Sequence, residues 1–134
     1  LVAAIHFCRG NYKGHFLSSG GYQEIAEKIF NELEVDAYFM EYDTNRAGDF
    51  EPLRYVPKNK TVVLGIVSSK LPKLESVEEL CSRIDEASKY AELDQLAISP
   101  QCGFASTVAG NPITPDIEKA KLARIVEVAE KVWS

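Results

Sequence analysis

No stretch of the 134 residues approaches the roughly 20-residue apolar run that a membrane-spanning helix requires, so no span is expected. There is no basic block either. Fifteen Lys and Arg are scattered among twenty Asp and Glu, for a net charge of −5, which argues against a nucleic-acid partner. Cysteines number three, an odd count at wide spacing, too few for a disulfide scaffold. A reducing, cytoplasmic setting is expected, where metal binding is a better use for such thiols than a disulfide. Residues 1–5 are apolar but run straight into His6-Phe7-Cys8-Arg9, unlike a signal peptide. Opening on Leu-Val-Ala-Ala-Ile without an initiator Met, the chain is expected to be a segment of a longer protein that begins inside a strand. Repeats, low-complexity tracts and linker-like composition are also missing, so residues 1–134 are read as one unit. The 46% hydrophobic and 26% charged content is that of a globular protein and excludes disorder.

What is present alternates between two periodicities. Residues 2–7 form a short apolar run of strand length, followed by a Gly/Asn/Ser-rich loop from 9 to 20. Tyr22, Ile25, Ala26, Ile29, Phe30 and Leu33 then recur at spacings of three and four, which predicts a helix with one buried face. Residues 36–42 read as a second strand, with a short helical turn at 50–54 ahead of Pro57. Residues 61–67 are β-branched and apolar, a buried third strand. Ser76, with Glu79 three residues on, has the spacing of a capping box; Val77, Leu80, Cys81, Ile84 and Ala87 give the helix that follows its apolar face. A fourth strand covers 95–99. Thr114-Pro115 opens the last helix, which runs to about 132 with Ile117, Ala120, Ile125, Val128 and Val132 inward. Four strand–helix units in this order predict an α/β fold with a parallel sheet. The pattern leaves two architectures: an open doubly wound sheet or half of a (βα)8 barrel.

His6 and Cys8 lie two apart at the end of the first strand, so alternation puts them on one side. Glu41 lies near the end of the second strand and Cys102 just past the fourth. A parallel sheet gathers these ends on one edge, where α/β proteins place their sites. Two thiolates, an imidazole and a carboxylate form a mixed S/N/O set that suits tetrahedral Zn²⁺. By simple ligand counting such a centre carries about −1 formal charge. That disfavours splitting water and favours holding a substrate thiol as its thiolate, with Glu41 as a displaceable oxygen ligand. Taken singly, each residue has a plainer reading: cysteines at strand ends are often only buried, and Glu41 has the alternative of a capping or salt-bridging carboxylate.

Three stretches carry a family resemblance: His6-Phe-Cys8-Arg-Gly-Asn11; Tyr38-Phe-Met-Glu41-Tyr-Asp43 with Arg46-Ala-Gly-Asp49; and Ser99-Pro-Gln-Cys102-Gly-Phe104. In these, and in their order, the chain resembles the C-terminal catalytic region of cobalamin-independent methionine synthases and their shorter relatives. The resemblance implies a (βα)4 segment, the C-terminal half of a TIM (β/α)8 barrel whose upstream half is a partner. It implies zinc held by His6, Cys8, Glu41 and Cys102. The implied reaction is methyl transfer from 5-methyltetrahydrofolate to the thiol of homocysteine, giving methionine. One departure stands out. The methionine synthases proper end the third strand in Asp-x-His-Ser, whose His is thought to act as an acid; Gly65 and Val67 occupy those two positions here. A related branch adds epoxides to coenzyme M, and a methyl-corrinoid donor is a further alternative. A closed, non-catalytic zinc domain is the reading from another class.

Among the remaining polar residues, His15 in the first loop is the candidate for the missing acid. Arg9 and Asn11 are candidates to hold a substrate carboxylate, with loop hydrogen bonding as the plainer role. Asp43 is a candidate amine contact, set against an Arg46–Asp49 pair that merely orders its loop. Ser68 and Ser69 have no neighbouring base, Cys81 belongs to an apolar helix face, Gly103 serves a tight turn, and Trp133 is a packing anchor.

Overall fold

A computed structural model describes residues 1–15, 17–44, 47–105 and 107–134. Four strands, β1 (Ala4–Phe7), β2 (Ala37–Glu41), β3 (Thr61–Val67) and β4 (Leu96–Pro100), pair in parallel in the order β1-β2-β3-β4. Strictly sequential order decides the architecture. A doubly wound sheet reverses strand order at a switch point, whereas consecutive βα units of a barrel lie side by side. The chain is therefore an α/β half-barrel.

Parallel register makes partnered residues point the same way. His6, Phe39, Val63 and Ala97 are one such row; Glu41, Gly65 and Ser99 are the next, toward the strand ends. This is the inner face, and Phe39 on it remains 38% exposed. The alternate residues Tyr38, Met40, Val62, Leu64 and Ile66 are buried on the outer face. There they meet Ala26 and Phe30 of α1 (Ala26–Glu32), Leu80, Ile84 and Ala87 of α2 (Val77–Ala87) and Val128 of α3 (Pro115–Trp133). Between β2 and β3 a 3-10 turn, Glu51–Tyr55, takes the helical place; it buries Pro52 and Leu53.

Two of the expected helix starts are capped as their residues dictate: Ser76 Oγ accepts from Glu79 N at 3.0 Å and Thr114 Oγ1 from Ile117 N at 3.3 Å. The first helix is shorter than its apolar spacing predicts, starting at Ala26 with no side-chain cap, and Ile25 is exposed. Tyr22 has been drawn out of the helix by polar contacts described below. Ala120, expected to face inward on α3, is exposed. The inner stripe passes instead through Lys121, which is fully buried with its ammonium 2.8 Å from Glu75 Oε2. Trp133 Nε1 donates to Leu93 O at 3.0 Å and anchors the end of α3.

Candidate metal centre

Ligand-type atoms of His6, Cys8, Glu41 and Cys102 all lie within 4.8 Å of one another. They converge from the ends of three strands. His6 and Cys8 share the inner side of β1 and its exit, and Glu41 ends β2. Cys102 follows β4 past a bulge at Gly65/Val67, where Gln101 N bonds to Val67 O at 3.0 Å. The extra residue is on β3, so β4 falls one residue out of step with it beyond Ser99.

Two of the donor separations are those of a four-coordinate ion. Zinc–ligand bonds of about 2.0–2.3 Å place tetrahedral donor atoms roughly 3.3–3.8 Å apart. Cys8 Sγ lies 3.5 Å from Cys102 Sγ, and His6 Nε2 lies 3.8 Å from Glu41 Oε1. Cys102 donates to Glu41 Oε1. Desolvation in the cluster, reinforced by that bond to the carboxylate, pushes the Cys102 thiol up to about 12. All three cysteines are free thiols. A cavity of about 360 Å³ opens over the cluster, lined by His6, Glu41 and Cys102 together with Phe39, Gly65 and Ser99 of the inner face.

Glu41 is 1% exposed and its backbone is held as firmly as its carboxylate. β1 has ended by this point, so the N–H of Glu41 has no strand to bond on that side. Tyr22 Oη accepts from it at 3.1 Å. Arg9 completes the brace: Nη1 donates to Tyr22 Oη at 2.6 Å and to Glu41 O at 3.0 Å, while Nε and Nη2 reach Gly20 O at 3.0 and 2.6 Å. Its guanidinium also stacks 4.0 Å from the Tyr22 ring centroid.

A family model described as the catalytic domain of cobalamin-independent synthase matches residues 5–131. The chain belongs to this family. It is 49% identical over 134 residues to the Bacillus subtilis protein YxjG, itself named as uncharacterized. It is 26% identical over 127 residues to methionine synthase of Pyrococcus horikoshii, covering 92% of this chain. A solved Listeria monocytogenes structure described as a vitamin-B12-independent methionine synthase aligns over 100% of this chain with TM-score 0.69 and 29% identity. The chain spans about a third of these relatives, 35%, 34% and 36% of their lengths respectively.

Within this cobalamin-independent synthase segment, the four residues proposed from sequence as ligands are together, and the other candidates are dispersed. Arg9 is buried and turned inward, its donors directed to Gly20, Tyr22 and Glu41 rather than into the cavity. Asn11 Nδ2 donates to Gly103 O at 3.3 Å and braces the loop that carries Cys102; Asn111 Nδ2 reaches the same carbonyl at 3.2 Å. His15 sits in a turn bridged to Tyr12 and lines a separate cavity of about 290 Å³ with Asp43 and Lys70. Arg46 lies outside the described residues, and the Arg46–Asp49 pair with it. Gly103 has φ +127°, the backbone freedom its turn requires.

Sequence reasoning missed Tyr22, Lys70 and Gln101. Tyr22 falls in the apolar repeat of a helical face, and nothing in the sequence singles out Lys70. Lys70 is in fact 3% exposed, with Nζ 2.8 Å from Gln101 Oε1. Val67 is fully buried.

Proposed function

We propose that this chain is the zinc-bearing C-terminal part of a methionine-synthase-like barrel, which transfers a methyl group to the thiol of homocysteine. The observation that carries the reading is the convergence of two thiols, an imidazole and a carboxylate at the C-terminal edge of a parallel sheet. His6, Cys8, Glu41 and Cys102 would hold the ion. The chemistry zinc supplies in such a set is to lower the pKa of a coordinated thiol while leaving its sulfur nucleophilic.

The chain's own residues do the rest. Arg9 and Tyr22 fix Glu41, and Asn11 fixes the turn after Cys102, so the donors keep their places as substrate arrives. Phe39 lines the cavity beside the cluster and would exclude water from the sulfur. Remaining substrate and donor contacts would come from the upstream half of the barrel, against which the open β1 and β4 edges and the exposed inner face would close. Asp43 and His15 face the neighbouring cavity, where they could meet the polar end of a substrate. None of the described helices is long and apolar enough to cross a membrane. Free thiols in working order call for a reducing compartment such as the cytoplasm.

A second reading is favoured by Gly65 and Val67. With no proton donor on β3, the methyl donor would be one whose leaving group needs no proton from that strand, such as a methyl-corrinoid, in place of 5-methyltetrahydrofolate. Addition of coenzyme M to an epoxide is the corresponding alternative in which both substrates differ. The test is to give the zinc-loaded protein homocysteine with each donor in turn, beside a Cys102→Ala variant. Methionine formation with one donor, abolished together with bound zinc in the variant, is the expected result. Full zinc retention by Cys102→Ala would overturn the site.

A further inference from the structure

We propose that Lys70 is a positioning residue of this centre: its ammonium holds one oxygen of Glu41, leaves the other to the metal, and offsets the charge of the ligand set. The proposal rests on the zinc reading above. Lys70 lies in the loop after β3, with Nζ 3.8 Å from Glu41 Oε2, 4.0 Å from Cys102 Sγ and 2.8 Å from Gln101 Oε1. An ammonium donates only, so it selects the oxygen end of the Gln101 amide. One neutral amide is poor compensation for a charge buried to 3% exposure. The anions beside it are the metal ligands themselves.

The two oxygens of Glu41 are thereby divided. Oε1 faces His6 and Cys102, and Oε2 faces Lys70. A carboxylate held in this way offers a metal one oxygen rather than two. Two thiolates and a carboxylate around Zn²⁺ leave about −1 formal charge, which one ammonium cancels. Nor is Lys70 free to swing away. Its N–H donates to Ser68 Oγ at 3.2 Å, and Ser68 N donates to Glu75 Oε1 at 2.8 Å. Glu75 Oε2 in turn accepts from the fully buried Lys121 of α3 at 2.8 Å.

The test uses Lys70→Met and Lys70→Gln in the metal-loaded protein, with zinc affinity measured by competition against a chromophoric chelator. Visible absorption of the cobalt(II) form supplies the second readout. Affinity is expected to fall roughly 10–100-fold, the usual effect of losing a partner that orients a ligand. The cobalt bands are expected to lose intensity as Glu41 gains a second contact and the tetrahedral field is lost. Circular dichroism of the metal-free variants checks that they fold; Lys70→Gln, which keeps length and polarity, carries the test if Lys70→Met does not. Zinc affinity within about threefold of wild type, with an unchanged cobalt spectrum, would overturn the role of Lys70 and leave the zinc reading standing. A wild-type protein that takes up no zinc would overturn both.

Discussion

Replacing Tyr22 by Phe removes one oxygen atom and should weaken both the fold and the metal centre. That oxygen accepts from Glu41 N at 3.1 Å and from Arg9 Nη1 at 2.6 Å, and donates to Glu41 O at 3.3 Å. Arg9 keeps a second acceptor in Glu41 O, and Glu41 O keeps Arg9, so neither is stranded. The Glu41 N–H loses its Tyr22 acceptor where β1 has ended at Phe7, and Tyr42 N points the other way, to Gly65 O. Leaving a buried donor unsatisfied costs about 1–3 kcal/mol, and losing a hydrogen bond from a charged group about 1.5–3 kcal/mol. The two losses share one atom and overlap, so a net cost of about 2–3 kcal/mol is expected. Urea denaturation of the metal-free protein measures it. Because the group that loses its acceptor is the backbone of a proposed ligand, zinc affinity should fall by about tenfold in the same variant. A loss of stability below about 0.5 kcal/mol, with unchanged zinc affinity, would refute the bracing role of Tyr22.

Glu75→Ala takes the carboxylate from the buried Lys121 ammonium, leaving it the Lys73 carbonyl, and frees the loop carrying Lys70; urea denaturation should show a loss of about 3–5 kcal/mol. Gly65→Ala would put a methyl 3.2 Å from the Met40 carbonyl and 3.6 Å from that of Pro100, costing about 1–2 kcal/mol in the same measurement. The Cys102 thiol, ordinarily near 9.0, is raised to about 12 in the metal-free protein. Folding therefore favours its protonated form: that contribution is complete below pH 9 and disappears as pH rises toward 12. The melting temperature of the metal-free protein should fall across this range, and that fall should be absent with zinc, when the thiol has already lost its proton.

The parallel α/β order was legible because each buried strand and each amphipathic helix carries its own periodicity. The capped starts of α2 and α3 were legible because Ser76 and Thr114-Pro115 act locally. Half-barrel and doubly wound sheet share these local signals, and only strand order separates them. The four clustered donors could be picked out because strand-end position is a one-dimensional property. Lys70, Lys121 and Tyr22 were not, because their roles come from partners far along the chain. Lys70 meets Gln101, Lys121 meets Glu75, and Tyr22 meets Arg9 and Glu41. A charged residue that is buried by pairing looks the same in sequence as one that is solvated. Arg9 illustrates the converse: adjacency to Cys8 suggested the substrate, while the fold turned its guanidinium inward.

The most direct test of thiol activation at this centre is X-ray absorption at the zinc edge, with and without homocysteine. Binding through the four residues predicts two sulfur neighbours in the resting protein, from Cys8 and Cys102, and three after homocysteine is added. A first shell that stays at two sulfurs with homocysteine and with every other thiol tried would contradict the account and mark the site as a closed, structural one.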